Sequence, residues 1–269
     1  MSGSRARAER RRDGRKPRTG HQDELRPAFE GSGLYPLLMM VDVEITPVVA
    51  AAAVIHQTMG GRPAGTCVTT CATLARGLAH LGIEAEAVAA YAEVKDIQDP
   101  QASAEQVGVR DRPVLRPDGT TNGHMVVWVD GCSRLVDPTI AQAPNLLAAA
   151  RRDPRHGLPS IVPVTDKAAL FGGEPVGSIR DRFQINWLLQ PDWTSLLEQL
   201  LTGDSALAVD YGAVNLAINA LETLRALQGH RDLSGLPDRY PRLGDLLAGR
   251  ERLPELPVLT AGATALLGL

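Results

Sequence analysis

The chain is predicted to fold as an α+β protein, and three observations predict it. Leu74, Leu78 and Leu81 recur at spacings of four and three, the apolar stripe of an amphipathic helix. Gly-His-Met-Val-Val-Trp-Val at 123–129, the Asp130-Gly131 pair and a return run from Arg134 to Val136 read as two strands about a tight turn. After Pro191 the pattern becomes helical, over 193–201, 205–227 and 241–248.

The remaining elements follow in chain order. Arg5, Arg7, Arg10, Arg11, Arg12, Arg15, Lys16 and Arg18 crowd the start, so residues 1–30 are expected to form a solvated, disordered basic tail. The run Pro47–Thr58 reads as a helix with proline near its start, and Gly60-Gly61-Arg62-Pro63-Ala64-Gly65 breaks it. Thr66 then caps the strongest helix, and Gly82 stops it. Residues 83–94 alternate Glu with apolar side chains and are read as a strand. Residues 95–119 are polar and carry Pro100, Pro113 and Pro117, so they are expected to form a surface excursion and a candidate substrate loop. Further strands are read at 160–164 and 179–189. The expected organisation is a tail over 1–30, a catalytic domain over 31–190 and a helical C-terminal extension over 191–269.

The formal charge of −3 over 269 residues is close to neutral, so bulk charge points to neither nucleic acid nor acidic substrates. The basic tail is the one feature that could touch nucleic acid, and a solvated arm is the expectation. No secretory signal is read, because no apolar core follows the basic start. The most apolar stretch, 34–55, is interrupted by Asp42, Glu44 and Pro47 and is not expected to span a bilayer. Three cysteines without framework spacing fit free thiols in a reducing, cytoplasmic setting.

The chemistry rests on Cys67, His124 and Asp137. Cys67 falls in the first turn of the strong helix, where unsatisfied N–H groups and the helix dipole favour a thiolate and can receive an oxyanion. His124 opens one strand of the hairpin and Asp137 ends the other, so a cross-strand contact is expected in which the carboxylate fixes the imidazole tautomer. Cys67 alone would be read as a buried structural cysteine, and Asp137 alone as a turn residue before Pro138. Their combination gives nucleophile, base and orienter. Cys71, one turn along, is expected to be a small core residue, and Cys132 to be incidental to the turn. His80 suits the helix C-terminus. No metal site is expected, because Cys67, Cys71, His124 and Cys132 contain no Cys-x-x-Cys pair or second knuckle.

The segments Gly65-Thr66-Cys67, Ala72 through Leu81-Gly82-Ile83, His124 and Leu135-Val136-Asp137-Pro138-Thr139 resemble the transglutaminase-like superfamily, over residues 60–140. That resemblance implies a papain-like core, with a helix bearing the cysteine packed on an antiparallel sheet bearing His and Asp. It also implies Cys67 as nucleophile, His124 as base and Asp137 as its orienter, without a cofactor. The chain departs from the family pattern His-Ala-Trp-Val-Glu, since Met125 and Val126 follow the histidine and the tryptophan is Trp128. No tryptophan precedes Cys67 to serve as oxyanion donor, and Gln57 is the nearest amide. The implied reaction is hydrolysis of an amide or peptide bond, or transfer to an amine, through a thioester. Its substrate would be a peptide, a protein or a small amide. Arylamine N-acetyltransferases share the Cys, His, Asp order, but their Arg-Gly-Gly-x-Cys is missing here. The competing expectation is a non-catalytic scaffold that keeps the fold, in which Cys67 would be buried and inert.

Overall fold

The computed structural model describes residues 34–58, 66–99 and 101–269. The expected basic tail and the Gly60–Gly65 break lie outside the described residues. Helices α1 (Leu34–Met40), α2 (Thr46–Thr58) and α3 (Cys67–His80) come first. In α2 every residue from Thr46 to Ile55 is buried. Four successive alanines, 50–53, let neighbouring elements approach it from all sides. Thr66 is the N-cap of α3 as expected, although its side chain makes no capping hydrogen bond.

Seven strands follow: β1 (Ala85–Asp96), β2 (Glu105–Val107), β3 (His124–Val129), β4 (Arg134–Asp137), β5 (Ser160–Pro163), β6 (Val176–Arg180) and β7 (Phe183–Leu189). They form one sheet in the order β5-β4-β3-β1-β7-β6, with β2 added on β1, and every pairing is antiparallel. Strand β1 is the long central member. Its first half pairs with β3, β2 takes over that edge further along, and β7 occupies the opposite edge from Ala90 to Asp96. The two ends of the order approach each other through a side chain. Arg180 of β6 donates from Nη1 to the carbonyl oxygens of His156 (3.1 Å) and Leu158 (2.7 Å), and from Nη2 to Ser160 Oγ of β5 (2.6 Å). The sheet is thus nearly closed, and the molecule is a mixed α/β fold.

Strand alternation sorts the core into two layers. Ala89, Met125, Val127, Val129 and Val136 face the helices. Val88, Ala90, Val126, Trp128, Leu135, Ile185 and Trp187 face the inside of the curved sheet. Helices α4 (Pro144–Ala150) and α5 (Lys167–Phe171) supply Leu146, Ala149 and Leu170 to this second layer. The later helices are α6 (Thr194–Glu198), α7 (Asp204–Gln228), α8 (Leu236–Arg239), α9 (Pro241–Leu247) and α10 (Ala261–Leu267). Leu216, Ala217, Ala220 and Leu224 of α7 join Leu74 and Leu78 of α3 in one core. Gly77 allows that crossing, since a Cβ there would lie 2.6 Å from Leu216 Cδ2. Among the described residues no helix is long and apolar enough to cross a membrane.

Several boundaries differ from the sequence reading. The run 179–189 is a hairpin, turning where Asp181 adopts a φ of 54°, a conformation that Asp tolerates without glycine. The Asp130-Gly131 connection is a 3-10 turn over Asp130–Cys132 completed by Ser133 at φ 52°, longer than a two-residue hairpin loop. The excursion at 95–119 contains β2, and the helical reading of 193–201 contracts to α6.

Candidate active site

Helix α3 begins beside the first residues of β3. The Cys67 thiol donates to Gly123 O at 3.6 Å, and one turn later Cys71 donates to Met125 O at 3.1 Å. His124, the first residue of β3, therefore lies against the N-terminal turn that carries Cys67, close enough for the thiol to help raise the imidazole pKa. The β3–β4 register pairs Val127 with Val136, which sets His124 and Asp137 as diagonal neighbours on the inner face of the sheet. His124 Nε2 lies 2.8 Å from Asp137 Oδ2, and both residues are 1% exposed. Cys67, His124 and Asp137 are thus brought together, Cys67 from the helix and the other two from adjacent strands.

Two further side chains complete the cluster, and neither was among the expected site residues. Trp187 of β7 donates its indole N–H to Asp137 Oδ2 at 2.8 Å. Gln142, in the turn after β4, places its amide nitrogen 3.0 Å from His124 Nδ1. The backbone N–H of Thr139 (3.0 Å) and its hydroxyl (3.4 Å) donate to Asp137 Oδ1. Both Asp137 oxygens are thus bonded, the condition under which a buried carboxylate keeps its charge. Gln57, the amide named from the sequence, is exposed at the end of α2.

The electrostatics follow from burial against these partners. Burial disfavours an imidazolium at His124. The charge and hydrogen bond of Asp137, with the adjoining Cys67 thiol, outweigh it and push the His124 pKa up to about 10. Burial opposes the Asp137 carboxylate too. The His124 charge and the donors from His124, Trp187 and Thr139 hold it below its ordinary value. The stable form at neutral pH is an Asp137 carboxylate paired with a His124 imidazolium, which keeps a proton on Nδ1. The Gln142 amide then has to present Oε1 rather than Nε2 to that atom, because two N–H donors cannot face each other. Cys71, fully buried in the core, is pushed well above the usual thiol range by burial, helped by Asp137 and Cys67. Cys132 is pushed up to about 11 by burial.

These directions set a pH dependence of stability. His124 is raised above its ordinary 6.5, so its contribution is complete below that pH and fades as pH climbs through about 10. Asp137 is lowered from 3.8, so its contribution is present above that pH and is lost as pH falls through the depressed value. Urea midpoints are expected to form a plateau between these two ordinary values and to decline from pH 6.5 towards pH 10. A His124→Gln variant is expected to remove the alkaline decline, and an unchanged slope in that variant would show that another group causes it.

The 95–119 excursion reaches the site at Gly108. Gly108, at φ 83°, lies against His124, and a Cβ there would come within 2.8 Å of His124 Cβ and 2.9 Å of Ala90 O. Among the described residues no group of three or more His, Cys, Asp or Glu side chains is arranged to hold a metal ion. Compared with known proteins, the chain matches no family model, no curated protein and no solved structure.

Proposed function

We propose that the protein is a cysteine-dependent enzyme of acyl transfer, with a papain-like, transglutaminase-like core, that cleaves an amide or peptide bond through a thioester. The observation that carries this reading is the buried His124–Asp137 pair, held through Nε2 and lying against the turn of α3 that carries Cys67. In the proposed reaction Cys67 reacts as the thiolate beside the His124 imidazolium, its Sγ bonds to the carbonyl carbon of the substrate, and the carbonyl oxygen takes up the negative charge. The N–H groups of the first turn of α3 receive that charge. His124 gives its Nδ1 proton to the departing nitrogen as the C–N bond breaks. Water, or a second amine, then attacks the thioester and gives a proton to His124, the C–S bond breaks, and the acyl product leaves Cys67 as the thiolate again. Asp137 stays ionised throughout and holds the ring. Hydrolysis is the primary reading and transfer to an amine the second, on a peptide, a protein or a small amide.

One observation favours the competing reading of a scaffold that retains the fold: Cys67 is only 5% exposed. Iodoacetamide alkylation at pH 7, followed cysteine by cysteine, separates the two. The enzyme reading expects Cys67 to react faster than Cys71 and Cys132, and His124→Ala to slow Cys67 by at least about tenfold. A Cys67 as inert as the other two, or indifferent to His124, would leave the scaffold reading in its place.

A further inference from the structure

A second site lies at the seam of the sheet, where β5 and β6 approach each other beneath α1 and α2. A cleft of about 390 Å³ opens there, inside the range of roughly 300–1,000 Å³ that small-molecule sites occupy. One wall is aliphatic, formed by Leu37, Val41, Ile45 and Val49. The opposite wall carries Arg134 and Arg180, and among the described residues no Asp or Glu lines the cleft.

Among the described residues the two arginines are bonded only to neutral oxygens. Arg134 donates from Nη1 to the carbonyls of Cys132 and Ser133. Arg180 uses three of its five N–H groups on the carbonyls of His156 and Leu158 and the hydroxyl of Ser160. Its Nε–H and one Nη2–H have no acceptor among the described residues. Burial lowers the Arg180 pKa, and only the charge of Asp137, outside ion-pair range, works against that. Arg180 is half-buried and the two unused N–H groups are not sealed from water, so they are free to take a carboxylate or phosphate that enters the cleft.

We propose that this cleft binds a small amphipathic anion, a carboxylate or phosphate on a hydrocarbon body, with its head on Arg180 and its body along the α1–α2 wall. The charge decides the head, since the walls offer two cations and no anion. The aliphatic residues decide the body, since an inorganic ion would leave them in contact with water. This site does not involve Cys67 or His124, and it stands whether or not the acyl-transfer reading does.

The test uses the full chain with octanoate and octyl phosphate as probes, and acetate and octanol as partial ones. Binding is followed by calorimetry and by the ¹⁵N–¹H signal of Arg180 Nε. One or both octyl anions are expected to bind saturably and move that signal, and the tighter of the two identifies the preferred head. Acetate and octanol are expected to bind at least about tenfold more weakly, for want of the body or of the charge. Ser178→Trp, which fills the cleft from β6 and keeps both arginines, is expected to abolish binding with the fold intact. Arg180→Gln removes the head contact but also loosens the seam, so Ser178→Trp carries the decision. Absence of saturable binding, octanol binding as tightly as octanoate, an unmoved Arg180 signal, or unchanged affinity in Ser178→Trp would each overturn the proposal.

Discussion

Asp137→Asn is expected to lower stability by about 3–5 kcal/mol, the usual consequence of removing one partner from a buried ion pair. The variant is nearly isosteric, so the loss comes from chemistry rather than volume. Asp137 accepts on both oxygens, from His124 and Trp187 on one side and from Thr139 on the other. An asparagine presents an NH₂ group to one of those sides in either orientation, and a donor then faces a donor. The imidazolium also loses its counter-charge while remaining buried. Burial, the effect that lowers the His124 pKa, then acts without its main opponent. The His124 pKa should therefore fall from about 10 to below its ordinary 6.5. Urea unfolding near pH 6 measures the stability, and ¹⁵N titration of the imidazole measures the pKa. A variant within about 1 kcal/mol of wild type, or a histidine that still titrates near 10, would show that Asp137 does not hold the pair together.

Gly108→Ala is expected to cost about 2–3 kcal/mol and to disturb the site as well. Two effects add. The backbone at φ 83° disfavours any side chain, and the new methyl group would sit 2.8 Å from His124 Cβ and 2.9 Å from the Ala90 carbonyl. Neither obstacle is a flexible tip. Ala90 is in the central strand, and His124 is paired with it in the β1–β3 ladder. Gly119 supplies the control, since it has a φ of 79° in the same excursion and nothing within 4 Å of its added Cβ. Gly119→Ala should show only the backbone strain. The difference between the two variants isolates the push on His124, and the indole N–H signal of Trp187, which reports on Asp137, should move only in Gly108→Ala. Equal effects from both would mean that the contact with His124 is unimportant.

Cys67, His124 and Asp137 were legible because each depends on local pattern. A helix start positions the first, and the two strands of one hairpin position the others. Trp187 was not legible for the opposite reason. Its alternation with Phe183, Ile185 and Leu189 marks it as inward-facing, but its bond to Asp137 depends on the curvature of the whole sheet. Gln142 sits in a tight turn after β4, where sequence offers no periodicity to aim a side chain. Helix α4 was not read from the sequence, although Pro144 at its first position is followed by Asn-Leu-Leu-Ala-Ala-Ala. The division of 179–189 into two strands had no glycine to announce it, because Asp181 supplies the turn. The helical periodicity after Pro191 was clear, but only the packing of Leu216 on Gly77 shows which face of α7 is buried and against what.

The central place of β1 has a consequence for how the molecule comes into being. One edge of β1 is satisfied by β3, which follows it closely in the chain, but the other waits for β7. During synthesis, which runs from the N-terminus, Cys67, His124 and Asp137 all emerge while that second edge is still open to water. The charge pair is then solvated, and the forces that separate its pKa values from ordinary ones are weak. Only when β7 adds to the sheet does Trp187 reach Asp137 and the second core layer close over it. Such long-range pairing is slow to form. The three residues that carry the proposed chemistry are therefore present long before the dry surroundings that give them their distinctive charge states, and the arrival of one late strand turns one into the other.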